Sequence, residues 1–301
     1  MLSEPAIDTV VRAALDEDAP WGDLTSQVLI PADAAQSARL IAREPGVFSG
    51  GAVFESAFRL TDARIAVKLL AADGARFETG DVLAAVSGPA RGILQAERIG
   101  LNFVQRMSGV ATLTARYVAE TVGTHARIVD TRKTTPGLRA LERQAVRDGG
   151  GHNHRFGLSD AVLAKDNHLA LLGAGTFGAG TFGAGELGLT EALRQVRDRL
   201  SHTTHFEVEV DRIDQIEPVL AAGIDTIMLD NFTPEELREG VRIVAGRAIV
   251  EASGGVSLET VRAIAESGVD IISVGALTHS VRSLDLGLDV IIDAEANLPE
   301  S

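Results

Sequence analysis

The sequence predicts an α/β protein in which a small sheet domain precedes a barrel of parallel strands. Two observations support the barrel. After Gly123, short apolar segments alternate with helical segments, the pattern of parallel strands buried on both faces. Charged or small residues also stand at the carboxyl ends of these segments, where a barrel gathers its active site. A doubly wound sheet is the alternative, and the convergence of such residues from many strands favours the barrel.

Composition limits the classes of function. The chain has 301 residues, 45% of them hydrophobic, which suffices for one large or two moderate domains. Its net charge of −14 provides no general attraction for nucleic acid or anionic lipid, so an anionic ligand must be held by a local basic cluster. The chain has no cysteine, which excludes disulfides, thiolate catalysis and Cys-ligated metal sites. Acidic residues near the start and the lack of a long apolar run predict a cytoplasmic protein with no membrane contact.

The first part of the chain shows three patterns in order. Residues 5–19 carry apolar positions on one helical face and end before Pro20, which predicts an amphipathic helix. Residues 36–93 contain short extended runs separated by Gly, Asp and Pro, which predict a small sheet with turns. Residues 94–121 repeat apolar positions at three- and four-residue steps, which predicts a long helix connecting two domains.

The remaining chain supplies six candidate strands. They are the segments ARIVDT, AVLAKD, HFEVEV, DTIMLD, AIVEAS and DIISVG. Their carboxyl ends carry Asp130, Lys165, Glu209, Asp230, Glu251 and Gly275. A five-residue repeat, GAGTFGAGTFGAG at 173–185, interrupts this pattern and is interpreted as a duplicated flexible loop rather than a ligand site.

A basic cluster follows the first two predicted strands. Within about forty residues it includes Arg132, Lys133, Arg139, His152, His154, Arg155, Lys165 and His168. Arginine matches carboxylate or phosphate with a planar fork, and lysine offers a compact charge for a pyrophosphate oxygen. The alternative is that these are solvated loop charges, which remains the simpler interpretation for His152 and Arg139. It is weaker for Lys165, because a charge at the end of an apolar strand is costly unless it is paired.

Two further groups complete the candidate site. Glu209 and Asp230 stand at strand ends, where carboxylates could contact hydrated Mg²⁺ or ribose hydroxyls, or pair with the basic cluster. Glu207 shares a strand face with Glu209, so the sequence leaves open which of them contacts a ligand. The turns EASGGV and SVGALTHS follow strands and precede predicted helices, which favours phosphate binding through free backbone N–H groups.

The chain resembles the quinolinate phosphoribosyltransferases. The motifs that carry the resemblance occur in the family's order and cover almost the whole chain. They are EDAPWGDLTS, REPGVFSGG, QAERIGLNFVQRMSGVAT, DTRKTTPGLR, GGGHNHRFGLSD, AKDNH, EVEV, MLDNF, EASGGV and SVGALTHS. The resemblance implies an amino-terminal α/β sandwich domain, residues 1–110 joined by 285–301, and an incomplete barrel of the seven-stranded type, residues 111–284. It also implies at least a homodimer in which Arg98 acts on the partner's substrate.

The same resemblance assigns roles to individual residues. Arg132, His154, Arg155 and Lys165, with Arg98, are expected to bind the quinolinate carboxylates. Lys133 and His279 are expected to face pyrophosphate. Glu209 and Asp230 are expected to contact the ribose hydroxyls and, indirectly, Mg²⁺. Ser253, Gly254, Gly255 and Gly275 are expected to hold the 5′-phosphate of phosphoribosyl pyrophosphate, and Lys133, Lys165, Glu209 and Asp230 form the expected catalytic set.

Rival functions remain at this point. A phosphoribosyltransferase for nicotinate, or a relative associated with molybdenum transport, is a close rival. A site for a dicarboxylate needs more cations than one for a monocarboxylate, so the basic cluster favours quinolinate. A barrel lyase would use Lys165 as a Schiff-base nucleophile. A nucleotide-binding protein would keep the phosphate turns without needing both acids and every cation. The sequence does not identify the residue that would donate a proton to the quinolinate ring carbon after decarboxylation.

Overall fold

The computed structural model describes residues 2–173 and 188–291. The predicted Gly-rich loop at 173–185 therefore lies outside the described residues except for residue 173. From the amino terminus the elements are α1 (Glu4–Asp18), α2 (Leu24–Leu29), β1 (Ala35–Ala42), β2 (Gly46–Val47), α3 (Gly51–Thr61), β3 (Ala66–Leu69), β4 (Arg76–Phe77), β5 (Val82–Pro89) and α4 (Ala90–Glu120).

Strands and helices then alternate. They are β6 (Arg127–Val129), α5 (Arg139–Asp148), β7 (Val162–Ala164), α6 (Asp166–Gly173), α7 (Leu189–Arg199), β8 (Phe206–Val210), α8 (Ile216–Leu220), β9 (Thr226–Asp230), α9 (Pro234–Val244), β10 (Ile249–Ser253), α10 (Val261–Ala265), β11 (Ile271–Ser273), α11 (Ala276–His279) and β12 (Leu286–Val290). A bilayer-spanning helix would need a longer apolar stretch than any helix in this part of the chain provides.

The chain divides into two compact units. Among the described residues, the first contains 2–115, 134–150 and 277–291, and the second contains 116–133, 151–173 and 188–276. This division differs from the predicted boundaries, because residues 111–115, 134–150 and 277–284 group with the first unit. The connecting helix α4 begins in the first unit and ends in the second.

The first unit is built on an antiparallel sheet in the order β12-β1-β5-β3. Strand β12 pairs with β1, with Leu288 opposite Leu40, so residues 286–290 belong to this sheet. The core of the unit includes Phe48, Phe54 and Phe58, all fully buried. The sequence pattern missed α3, which lies inside the region predicted as extended, because its apolar positions are also compatible with short strands.

The second unit contains a parallel sheet in the order β6-β11-β10-β9-β8-β7. All six strands coincide with the predicted segments, and the two first strands along the chain, β6 and β7, lie at opposite edges. An isolated parallel bridge joins His152 to Val129. His152 therefore lies beside β6, on the side of β6 away from β11, where a seventh strand would stand. This architecture confirms the α/β fold class, with the parallel arrangement expected of an incomplete barrel.

A buried ion pair in the first unit joins segments that are distant in sequence. Arg106 on α4 contacts Glu142 on α5, with Nη2 2.7 Å from Oε1, and Glu142 is 1% exposed. Thr135 donates to the same carboxylate through both its backbone N–H and its hydroxyl. Arg106 also donates to the carbonyl oxygens of Thr278 and Val281. One guanidinium therefore holds the start of segment 134–138 and segment 278–281.

We expect Arg106→Met to lower the free energy of unfolding by about 3 kcal/mol or more, because it leaves the Glu142 carboxylate buried without its cation. The exposed pair Arg64–Asp62 provides a control, since Arg64→Met removes the same charge at the surface and should cost less than about 1 kcal/mol. Urea unfolding followed by circular dichroism measures both. Equal losses of unfolding free energy in the two variants would show that the Arg106–Glu142 pair stabilises this unit no more than an exposed ion pair does.

Candidate active site

Functional side chains gather at the carboxyl ends of the parallel strands in the second unit. Asp130 follows β6, Lys165 follows β7, Asp230 and Ser253 end β9 and β10, and Glu209 is the penultimate residue of β8. Asp230 and Ser253 are direct neighbours in the β9–β10 register. Parallel hydrogen bonding brings these ends to one edge of the sheet, as at the catalytic face of a barrel.

Lys165 and Glu209 form an ion pair at this edge. Ala164 lies opposite Val208 in the β7–β8 register, so the next residue on each strand is brought alongside the other. The Lys165 ammonium contacts the Glu209 carboxylate, with the two side chains 44% and 11% exposed. The lysine charge is thus paired, as expected for a cation that ends an apolar strand, and it remains partly open to solvent.

The charges of Arg132 and Arg155 act on one another. Burial and the positive charge of Arg132 both lower the pKa of Arg155. Arg155 Nη1 donates to the carbonyl oxygen of Ala161 at 2.9 Å. The Nε atom of Arg132 is buried and has no hydrogen-bond partner among the described residues. An anion bound to these guanidinium groups would offset their repulsion, which favours a carboxylate ligand here.

His154 is the centre of a polar cluster inside the sheet. Its Nε2 atom lies 3.2 Å from Glu207 and 3.5 Å from Glu251, both buried carboxylates. Its Nδ1 atom accepts a hydrogen bond from the backbone N–H of Arg155 at 2.7 Å. The backbone N–H of His154 donates to Asp130. The three ligand atoms of His154, Glu207 and Glu251 lie within 4.8 Å of one another, close enough for one divalent ion.

Opposing effects set the protonation of this cluster. Burial alone would lower the pKa of His154, but the hydrogen bonds and charges of Glu207 and Glu251 outweigh it and raise the pKa to about 10. Burial also raises the pKa of Glu207. The cluster therefore holds an additional proton near neutral pH. Because Nδ1 accepts the Arg155 N–H, we assign this proton to the cluster as a whole rather than to Nδ1.

A cavity of about 340 Å³ lies against the cluster. Its lining includes His154, Arg155, Glu207 and Glu251. It also includes Thr226, Ile249 and Ile271, the first residues of their strands, and Val129, the last residue of β6. Lys165, Glu209 and Asp230 are not among the lining residues.

The turn after β10 packs closely on the turn after β9. The backbone N–H of Asn231 donates to the carbonyl oxygen of Ser253 at 2.8 Å, and its side chain donates to Asp230. Gly254 has φ +83°, and a Cβ atom there would lie 2.1 Å from Asn231 Oδ1. Only glycine therefore allows this approach of the two strand ends.

Two sequence-based expectations need correction. Glu251 was expected at the end of its strand, but it is the middle residue of β10 and is buried inside the sheet, because the strand continues to Ser253. Gly254 and Gly255 were expected to open a helix, but α10 begins only at Val261, so no helix N-terminus supplies N–H groups at this turn. Gly275, in contrast, directly precedes α11.

The other predicted residues are placed as follows. Lys133 is exposed, and its N–H donates to Thr131. His152 is also exposed, whereas Arg139 donates to Thr134 within the first unit. Arg98, on α4, and His279, the last residue of α11, are exposed and belong to the first unit. Sequence reasoning missed the joint role of Asp130, Glu207 and Glu251 around His154; the EVE spacing was the only available signal.

Comparisons with known proteins agree along the chain. The family model for the quinolinate phosphoribosyl transferase N-terminal domain matches residues 23–108, and that for the C-terminal domain matches residues 110–289. The nicotinate-nucleotide pyrophosphorylase (carboxylating) of Mycobacterium leprae is 42% identical over 96% of this chain and 100% of that protein. The probable enzyme of that name from Bacillus subtilis is 40% identical over 93% of this chain and 92% of that protein. The crystal structure of NadC from Streptococcus pyogenes has a TM-score of 0.88 at 37% identity, covering 97% of this chain and 99% of that one.

The contact of Gly254 with Asn231 predicts different effects of the same substitution at adjacent positions. Gly254→Ala adds both a left-handed backbone strain and a clash with Asn231, whereas Gly255→Ala, at φ +61° with no atom within 4 Å of a Cβ, adds the strain alone. We expect Gly254→Ala to lower the free energy of unfolding by about 1–3 kcal/mol more than Gly255→Ala does. Chemical denaturation of both variants measures the difference. Similar losses of unfolding free energy would show that the turns after β9 and β10 can move apart at little energetic cost.

Proposed function

Because the chain belongs to the quinolinate phosphoribosyltransferase family, we propose that it transfers the phosphoribosyl group of phosphoribosyl pyrophosphate to quinolinate. The products are nicotinate mononucleotide, carbon dioxide and pyrophosphate, on the route to NAD. The observation that supports this most directly is the electrostatic effect of Arg132 on Arg155, two arginines on the segments that follow β6 and precede β7. A dicarboxylate needs this concentration of cations in a chain of net charge −14.

Quinolinate binding falls to the basic cluster. Arg132 and Arg155 bind its carboxylates, and Lys165 completes the site while keeping its contact with Glu209. His154 belongs to the same group by family resemblance. Arg98 reaches the substrate of a partner subunit, so the proposal includes a homodimer with shared active sites, and the exposed position of Arg98 on α4 is compatible with this.

The ribose and phosphate groups face the remaining strand ends. Glu209 and Asp230 contact ribose hydroxyls, Ser253, Gly254, Gly255 and Gly275 hold the 5′-phosphate, and Lys133 and His279 face pyrophosphate. The proposal includes Mg²⁺, since Glu209 and Asp230 offer the carboxylate oxygens this ion prefers, directly or through water and substrate. When bound, Mg²⁺ supplies positive charge next to pyrophosphate oxygens.

The charges of the protein suit the bond changes. The bond between ribose C1 and pyrophosphate breaks and leaves its electron pair on the departing oxygen, which Lys133 stabilises. The nitrogen of quinolinate then forms the new bond to C1 and becomes a pyridinium. Loss of carbon dioxide leaves an electron pair on the adjacent ring carbon, stabilised by the pyridinium, and a proton replaces the carboxylate. The chain needs no organic cofactor for these reaction steps.

The cytoplasmic location remains a prediction.

We expect purified protein to release carbon dioxide and nicotinate mononucleotide from quinolinate, phosphoribosyl pyrophosphate and Mg²⁺. Nicotinate should not be converted in a parallel reaction, because it lacks the second carboxylate. Chromatography of the nucleotide and capture of labelled carbon dioxide measure both products. Turnover of nicotinate alone would assign the chain to a sister activity. No product from either substrate would overturn the proposal, and trapping of a quinolinate-independent adduct by borohydride would point to lyase chemistry at Lys165.

Arg132→Ala should weaken quinolinate binding by about 30-fold or more, the factor for about 2 kcal/mol, because it removes a charged partner of a carboxylate. Arg127→Ala, on the exposed start of β6, removes an equal charge outside the proposed contacts and serves as the control. Isothermal titration with quinolinate measures the two dissociation constants. Near-wild-type affinity of the Arg132 variant would remove this residue from the carboxylate role.

A further inference from the structure

The buried ion pair between Arg106 on α4 and Glu142 on α5 has no role in the proposed substrate contacts. The Glu142 side chain is 1% exposed, so it cannot itself reach a substrate. A buried ion pair adds little stability compared with apolar side chains of similar volume, because both charges lose their hydration. The stability of the first unit alone therefore does not account for this pair, and its hydrogen bonds to the backbone give it a second role.

The Glu142 carboxylate fixes the backbone just after Lys133. Residues 130–138, all within the described part of the chain, lie between β6 and α5 and contain no helix or strand. In this segment, Thr135 donates its backbone N–H to Oε2 of Glu142 at 3.1 Å and its hydroxyl to Oε1 at 2.8 Å. Arg106 Nη2 donates to the same hydroxyl at 3.3 Å. Lys133, which is exposed, is thus two residues from an anchored position.

The Arg106 guanidinium fixes the backbone on either side of His279. Helix α11 has four residues, too few for its last carbonyl groups to find partners within the helix. Arg106 donates to the carbonyl oxygen of Thr278 through Nη2 and to that of Val281 through Nη1, the latter at 3.0 Å. Basic side chains commonly satisfy the last carbonyl groups of a helix in this way. The exposed side chain of His279 is therefore carried by a backbone that is held on both sides.

A second set of contacts holds the same late segment against α4. The backbone N–H of Leu284 donates to the carbonyl oxygen of Gln105 at 3.0 Å, and the Gln105 side chain donates to the carbonyl oxygen of Leu286 at 2.7 Å. A Cβ atom at Gly109 would lie 2.2 Å from the carbonyl oxygen of Arg282. One stretch of α4 therefore determines where residues 278–286 lie.

We propose that Arg106 and Glu142 are positioning residues that set Lys133 and His279 for the departing pyrophosphate. The inference rests on the proposed function, which assigns pyrophosphate to these two side chains. Negative charge develops on the leaving oxygen as its bond to ribose C1 breaks, and donors stabilise that charge best when their positions are fixed beforehand. Because a lysine side chain is long and flexible, the position of its backbone has to be supplied by the fold.

Steady-state kinetics of Arg106→Lys test the proposal. The variant keeps a positive charge beside Glu142, but one ammonium on a shorter side chain cannot also hold the two carbonyl groups next to His279. We expect kcat/KM for phosphoribosyl pyrophosphate to fall by about 10- to 100-fold, because small misplacements of reacting groups have effects of this size. The KM for quinolinate should change little. Arg64→Lys, which alters the exposed pair with Asp62, is the matched control and should leave both values unchanged.

Thr135→Val provides a second variant that keeps the ion pair. It removes the hydroxyl between Arg106 and Glu142 and leaves the rest of the side chain similar in shape. We expect kcat/KM for phosphoribosyl pyrophosphate to fall by about 3- to 10-fold, the factor for one hydrogen bond. Thr9→Val, which removes an exposed hydroxyl on α1, is its control. An unchanged kcat/KM in both folded variants, or an equal loss of quinolinate affinity, would overturn the proposal.

A combination of variants shows whether Arg106 acts through Lys133 and His279. In a Lys133→Ala/His279→Ala background, Arg106→Lys should lower kcat/KM for phosphoribosyl pyrophosphate much less than it does in the wild-type protein, because the side chains that it would misplace are gone. The proposed ribose and 5′-phosphate contacts remain in that background and support a residual rate. A fall by the same factor in both backgrounds would mean that Arg106 does not act through these two residues.

Binding without turnover keeps the test independent of the proposed activity. Isothermal titration of the full-length protein uses inorganic pyrophosphate with Mg²⁺ and, separately, quinolinate. We expect Arg106→Lys to weaken pyrophosphate binding by about tenfold and to leave the quinolinate dissociation constant unchanged. Wild-type pyrophosphate affinity in the variant would contradict the proposal. A selective loss of pyrophosphate affinity in the variant, together with a wild-type protein that does not convert quinolinate, would contradict the proposed function alone.

Discussion

Parallel hydrogen bonding throughout the sheet β6-β11-β10-β9-β8-β7 is the constraint on which the site depends. It gives every strand the same direction, so that each contributes its last residue to one edge. The register then decides which side chains meet. Ala164 opposite Val208 brings Lys165 to Glu209, and Asp230 lies opposite Ser253. Because buried strands allow few polar groups, nearly every charge in this region has a partner that fixes its direction.

Two tiers of polar residues follow from the same strands. Residues two positions apart face the same side, so β8 directs both Glu207 and Glu209 to one face. The earlier acid lies deep and binds His154, and the later one lies at the rim and binds Lys165. The deep tier fixes backbone and ring orientation, while the rim is partly open to solvent. A cationic site in an acidic protein is thereby supported by carboxylates that neutralise and orient its basic residues.

Much of this was predictable from the sequence, for specific physical reasons. The six parallel strands are short apolar runs with helices between them, a pattern with few alternatives, and all six were located. The strand-end cations and acids were predicted because such charges are conspicuous at the end of apolar segments. The helix α3 was missed because its apolar spacing also suits extended chain. The His154 cluster was missed because the approach of both Glu207 and Glu251 to His154 depends on how strands distant in sequence are arranged in the sheet. The expectation that Gly254 opens a helix was wrong, because the chain first turns against Asn231 and α10 begins only at Val261.

The two edge strands of the parallel sheet have a consequence for the behaviour of the chain in concentrated solution. An unpaired strand edge can template pairing with another molecule and so promote aggregation. Both β6 and β7 are only three residues long, and each is followed at once by a charged residue, Asp130 or Lys165. His152 covers part of β6 through its bridge to Val129. Two strands of this length leave little backbone edge on which another molecule could pair.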